Sequence, residues 1–253
     1  MKLIFRRERV LGMRTFLIQT TDNIISNEFC FHLIKAIEFN NWFYNEKVYD
    51  YVLAEKALKG TYVPVGPLEF VYDYLKLEYG IEQERILPIN IPDALMGWKF
   101  LKREIQVRDK RDIELNGPKF IKYAAAYKSF TEIVDNVKDI PDGKFLVSDL
   151  IEIKSEWRAF ICNRELVGIQ QYAGDFRIFP DVSFVEEMVS LYTDGPRSYT
   201  LDIGINEEGN FLIESHPFVS CGLYGFADYK RLPLMFIQGF DYMKQAAETE
   251  AIK

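Results

Sequence analysis

The stretch TLDIGINEEGNFLIESHP, residues 200–217, decides how this chain folds around its chemistry. It alternates apolar and polar residues on both sides of Glu207-Glu208-Gly209, the pattern of a β-hairpin. A three-residue loop with Gly209 at positive φ sets Asn206 against Asn210 and Asp202 directly opposite Glu214. Side chains alternate with period two, so His216 shares the face of Glu214. Leu201, Ile203, Ile205, Phe211 and Ile213 go to the other face, against a core. Two carboxylates placed this way have Cβ atoms about 5 Å apart and repel each other. Protonating one of them, supplying a Lys or Arg, or binding a cation relieves the repulsion. So does exposure to water at a sheet edge, which needs no ligand. Oxygen ligands favour magnesium, an ion that keeps part of its water shell and takes one or two carboxylates together with substrate phosphates.

Upstream, SEWRAFI (155–161) puts Arg158 in an alternating strand with Trp157 and Phe160. A guanidinium there either pairs with a carboxylate inside the fold or clamps a phosphate, whose geometry its fork matches. Further upstream, KFIKYAAAYKSF (119–130) ends a strand at Lys122 and runs through small residues to Lys128. The two lysines are suited to bind different phosphates as point charges. Taken singly, each also fits an ordinary surface lysine. There is no GxxxxGK[ST] and no GxGxxG, so neither a P-loop nor a dinucleotide fingerprint is present. A Ser or Cys nucleophile has little support with only two histidines, although Cys221 is close to His216 in sequence. His32 falls in an expected helix and reads as structural.

Around these motifs the chain alternates strands and helices in its first hundred residues. Strands are expected at Arg14–Gln19 and Thr61–Val65, the latter at a sheet edge because of Pro64. Helices are expected at Ser26–Phe39 and at Leu68–Tyr79, stopped by Gly80. Pro88 and Pro92 bracket a short extended piece. The charged run KREIQVRDKRDIELNG, within 96–117, reads as a connection between two lobes or as a solvated helix inside one domain. Beyond it, strands are expected at Lys119–Tyr123 and, as a long one, at Lys144–Ile153. Helices are expected at Phe130–Val137, Ser183–Tyr192 and Leu232–Ala247. Hairpins are expected about Asn163-Arg164-Glu165 and about the loop at Glu207–Gly209. Hairpins overlaid by helices describe an α+β architecture.

Composition sets the outer limits. The 253 residues are 48% hydrophobic, too apolar for disorder and enough for a sizeable core. The net charge of −7 argues against a nucleic-acid coat, which needs a basic excess. Three scattered cysteines without a CxxC pair argue against structural zinc and fit a reducing, cytoplasmic compartment. No apolar run reaches the ~18 residues that a membrane span needs. Glu8, Arg9 and Arg14 interrupt the start, so it does not form a signal peptide, and residues 1–12 read as a dispensable extension.

Taken in order, VPVGPLEFV (63–71), KFIKYAAAYKSF (119–130), FLVSDLIEIKSEWRAFI (145–161) and TLDIGINEEGNFLIESHPFVSCGLYGF (200–226) resemble the ATP-grasp superfamily, and within it the clade named for one arginine and two lysines. The resemblance implies two α+β lobes that sandwich ATP, behind an N-terminal α/β substrate-side domain. The corresponding boundaries are 1–100 for that domain and 101–253 for the ATP-grasp domain, with lobes of about 101–147 and 148–253. It implies that Lys122, and Lys128 on a mobile loop, reach the ATP phosphates. Arg158 would lie near the phosphates and the acyl-phosphate, with Lys128 and Arg158 catalytic. Val147, Ser148, Asp149 and Leu150 would form the interlobe strand whose backbone reads adenine, and Glu152 would contact ribose. Asp202 and Glu214 match the magnesium carboxylates.

Two residues after the second carboxylate the family commonly has asparagine, and here the residue is His216. Imidazole is a poorer magnesium ligand than an amide oxygen, so His216 either binds manganese or another softer metal ion, contacts phosphate, or marks an altered site. The activity implied is ATP-dependent carboxylate–amine ligation through an acyl-phosphate, with amino-acid, peptide or small-molecule substrates. A nucleotide-binding module without ligase chemistry and an ATP-dependent kinase are the alternatives. The Gly222-Leu223-Tyr224-Gly225 turn is expected to shape the substrate pocket.

Overall fold

A computed structural model describes residues 13–86, 89–124 and 130–250. The N-terminal part holds strand β1 (Arg14–Gln19), helix α1 (Glu28–Tyr44), β2 (Tyr49–Ala54), β3 (Val63–Val65) and α2 (Leu68–Tyr79). Its strands form a parallel sheet in the order β2-β1-β3. Phe16, Leu17 and Ile18 of the central strand are fully buried, as a strand covered on both faces requires. Pro64 lies on the edge strand β3, where its missing N–H costs no ladder bond. Helix α2 ends as expected: Gly80 adopts φ +64° and caps the last turn through Lys76 O. Helix α1 runs five residues past the expected end and stops at left-handed Asn45. Strand β2 has no counterpart among the expected elements; the Asn41 side chain introduces it by bonding the main chain of Val48 and Tyr49.

After the short helix α3 (Trp98–Leu101), strands β4 (Ile105–Asp109), β5 (Lys119–Tyr123), β6 (Thr131–Val134) and β7 (Lys144–Ser148) form an antiparallel sheet in the order β4-β7-β5-β6. Three expectations are corrected here. The charged run contains the edge strand β4, in which only Ile105 is buried. Phe130–Val137 is no helix: its β-branched residues form β6, paired with β5. Strand β7 is also shorter than expected and ends at Ser148.

The third sheet is built from β8 (Ser155–Cys162), β9 (Glu165–Gly174), β10 (Tyr199–Asn206) and β11 (Gly209–Pro217), in the order β11-β10-β8-β9. Helix α4 (Val182–Leu191) covers one face, packing Val185, Met188 and Val189 on Ala159, Ile161 and Leu201. Ile105 and Leu146 of the second sheet join that cluster. Helix α5 (Leu232–Glu250) returns to the N-terminal sheet, where Met235, Phe236 and Phe240 share a core with Phe16, Leu33 and Leu75. Phe160 and Phe226 extend the same core, their rings stacked 4.2 Å apart.

Candidate active site

The β10–β11 hairpin arrives at its pairing by a route the alternation did not reveal. Its turn has two residues, Glu207 and Glu208, so Asn206 pairs with Gly209 and Ile205 with Asn210. Continued unchanged, that register would set Leu201 against Glu214. A β-bulge at Asp202/Ile203 intervenes: Ile203 pairs with Leu212 and Asp202 with Glu214, leaving Ile213 as the extra residue. The bulge also changes the faces. Leu212 joins Leu201, Ile203 and Ile205 in the core, where Phe211 and Ile213 were expected. Phe211 packs instead opposite Gly204, on the side of Asp202.

Arg158 sits directly across from Asp202 on β8. Its Nε and Nη2 donate to the two carboxylate oxygens at 2.8 Å each, and Nη1 donates to Gly222 O at 3.2 Å. The guanidinium lies 5.1 Å from the ring centroid of Tyr224 and 5.7 Å from that of Tyr172, two rings stacked on each other. Burial alone would lower the arginine's pKa, but the hydrogen bonds and charge of Asp202 outweigh it and the net shift is upward. Sequence reasoning missed the two tyrosines; the Gly222–Gly225 turn it singled out carries one of them.

Glu214 is held from both sides. Lys122 Nζ, reaching across from β5, donates to Oε2 at 2.7 Å, and His216 Nε2 lies 2.8 Å from Oε1. Burial pushes the carboxyl pKa up, while His216 and Lys122 together push it further down, so Glu214 stays ionised well below the usual carboxylate range. Asp202, Glu214 and His216 each offer one ligand atom, and these atoms lie within 4.8 Å of one another. Thr200, paired with His216, adds a buried hydroxyl oxygen with no hydrogen-bond partner. The two carboxylate oxygens and the imidazole suit a divalent cation.

Residues 100–232 match the family described as ATP-grasp domain, R2K clade family 2. The chain belongs to this ATP-grasp family. A search of curated proteins finds no match. Among solved structures, the chain is similar to a RimK-domain ATP-grasp protein from Sphaerobacter thermophilus, at 15% identity over 94% of this chain and 100% of the other, with a TM-score of 0.51. It is similar to D-alanine–D-alanine ligase from Bacillus anthracis at 13% identity, with coverage of 94% and 100% and a TM-score of 0.51. N5-carboxyaminoimidazole ribonucleotide synthetase from Thermotoga maritima matches at 12% identity over 89% of this chain and 76% of that one, with a TM-score of 0.50. These likenesses establish the ATP-grasp fold, whose members are typically ATP-dependent ligases.

The other residues that the sequence resemblance implicates are spread more widely. Val147 packs beside the core under the second sheet, and Ser148 is buried. Asp149 forms an ion pair with Lys119, and its main-chain N–H donates to Glu104 O. Leu150 and Glu152 are exposed. Lys128 lies outside the described residues. His32 is held by Tyr229 OH at 3.0 Å, and Cys221 is buried with its thiol pKa pushed up to about 12. Among the described residues, no helix is long and apolar enough to cross a membrane.

Proposed function

We propose that this ATP-grasp protein is an ATP-dependent carboxylate–amine ligase working through an acyl-phosphate, with amino-acid or peptide substrates. The observation that carries the reading is the pair of acids, Asp202 and Glu214, opposite each other and each bonded to a base, Arg158 and Lys122. Phosphoryl transfer is served by positioning and by fixed charge rather than by a covalent protein nucleophile. A carboxylate oxygen of one substrate attacks the γ-phosphorus and ADP leaves. An amine then attacks the acyl carbon, phosphate departs, and the amine's proton goes to solvent. Lys122 neutralises phosphate oxygens when it leaves Glu214, and Arg158 stabilises the charge that develops on the transferred group. Lys128 serves the phosphates as the second lysine. Asp202, Glu214 and His216 would hold magnesium, or manganese in its place, and the ion would supply positive charge against the phosphates. Val147–Leu150 border adenine, and Glu152 reaches ribose.

A parallel sheet before residue 100 and two antiparallel sheets after it support a substrate-side unit of 1–100 and an ATP-grasp unit of 101–253, with lobes meeting near residue 148; helix α5, in the second unit by sequence, packs on the first. The unpaired, buried cysteines and the need for ATP favour a cytoplasmic setting. ADP release with ATP, magnesium and amino-acid or peptide pairs tests the reading. Asp202→Ala and Lys122→Ala each abolish that release; unchanged turnover in both removes the assignment.

Two observations favour a second reading. Both donors of Arg158 that face Asp202 are already committed, and His216 replaces an amide. A nucleotide-binding module would show ATP-dependent thermal stabilisation with no ADP from any acceptor. A kinase would yield a stable phosphorylated product, which intact-mass analysis separates from a new amide.

A further inference from the structure

We propose that Arg103 is a positioning residue that aims Glu214 by holding the main chain of the β11 bulge. The inference rests on the reading of Glu214 given above. β11 is the edge strand of its sheet and is bulged at Ile213, and both features leave main-chain groups without ladder partners, which need others. Arg103 supplies them: Nη1 donates to Leu212 O at 2.9 Å and Nη2 to Ile213 O at 3.2 Å, the two carbonyls just before Glu214. Nη1 also donates to Leu101 O at 3.0 Å, and Nε to Ser148 Oγ at 3.1 Å. The guanidinium carbon lies 5.5 Å from the centroid of Phe211.

One side chain therefore ties α3, the end of β7 and the bulge into a single unit. The geometry needs a fork. Four acceptors in different directions match the fixed, planar donors of guanidinium, and a lysine ammonium on a flexible stem cannot span them. The consequence is registral. Without the bulge's extra residue the turn's own pairing continues, and Glu214 falls opposite Leu201 on the apolar face, because a one-residue slip exchanges the faces. Arg103 touches neither Asp202 nor Glu214 in this arrangement; it acts through the backbone that presents Glu214.

The test uses full-length wild type, Arg103→Lys and Arg103→Gln. Amide hydrogen exchange is read by mass spectrometry in peptides covering 210–217 and 155–174, and Mn2+ binding in the presence of ATP is read by electron paramagnetic resonance. The expected result is exchange in 210–217 that is faster in both variants while 155–174 stays near wild type. Mn2+ affinity is expected to fall by about 10- to 100-fold, as for other residues that orient a ligand. Arg103→Lys, which keeps the charge, does not rescue. Wild-type exchange in 210–217 for Arg103→Lys, or an equal rise across both regions, overturns the proposal. If wild type itself binds no Mn2+ with ATP, the metal reading of Glu214 fails, and the exchange pattern alone still decides whether Arg103 holds the bulge.

Discussion

The Arg158 guanidinium and the Asp202 carboxylate face each other across neighbouring strands and share two hydrogen bonds of 2.8 Å in a buried setting. Their Coulomb attraction is offset by the desolvation of both groups, so the pair is weak evidence for stability. Breaking it is another matter, because one charge is left buried and uncompensated. Asp202→Ala should therefore lower the thermal midpoint by on the order of 10 °C, the equivalent of about 3–5 kcal/mol. Replacing both residues, with Arg158→Met and Asp202→Leu, should cost less than Asp202→Ala alone. A double variant less stable than the single one would contradict the account of this pair.

Lys122 competes with any cation for Glu214. Asp202 and Glu214 carry two negative charges, and Arg158 and Lys122 two positive ones, so the four groups cancel. Lys122→Met unbalances the site by one negative charge and frees Oε2 of Glu214. The expected outcome is a split: Mn2+ alone binds roughly tenfold tighter, since a charge-assisted hydrogen bond no longer has to be displaced, whereas ATP-dependent thermal stabilisation falls. Titration calorimetry with each ligand separately checks the two directions. A parallel loss of both affinities would show that Lys122 organises the site instead of competing within it.

The sequence located Asp202 opposite Glu214 through two departures that cancel. The turn is one residue shorter than expected, and the bulge at Ile213 restores the offset. Alternation is blind to both, because a short turn with a bulge and a longer turn without one end in the same pairing. It could not place Phe211 and Leu212, whose faces depend on which side of the extra residue they stand. Phe130, Ile133, Val134 and Val137 have helical spacing, yet β6 pairs with β5 while Phe130, Val134 and Val137 still reach one core. Ile133 is left exposed, the residue that breaks the helical account. β4 was hidden because an edge strand with one buried residue has the composition of a solvated segment. Arg103 lay in that same run, and only the fold brings it to the carbonyls of β11.

Gly204 is packed against the ring it must admit. A Cβ built there would lie 2.3 Å from Phe211, whose ring is fully buried and lies beneath Arg103. Gly204→Ala should cost about 1–3 kcal/mol through overpacking. It should also weaken Mn2+ binding, since moving Phe211 disturbs the strand that carries Glu214. Denaturant unfolding and Mn2+ titration of the same preparation check this. A variant of wild-type stability would mean that Phe211 has room to move and that the close approach at Gly204 does not constrain β11.

Burial leaves several acids of the core poorly able to ionise, and this fixes how the fold responds to alkali. The thiols of Cys30 and Cys221 are pushed up to about 12 and that of Cys162 to about 11, from an ordinary 9.0. Tyr49 and Tyr72 rise from 10.0 to about 12 for the same reason. In each case the folded pKa lies above the unfolded one, so the native state holds its proton while the unfolded chain releases it. Stability is then fully present below about pH 9 and is lost as pH rises toward 12, by about 1.4 kcal/mol per pH unit for each group inside its window. The thermal midpoint should be level from pH 7 to 8.5 and fall with increasing slope above pH 9, more shallowly in Cys30→Ala. The same burial keeps the thiolate scarce, so native protein at pH 8 should resist alkylation and take up three equivalents only when unfolded. Rapid labelling of Cys221 in the native state would mean that the segment over Arg158 opens readily, and the tight enclosure of the Arg158–Asp202 pair would have to be abandoned.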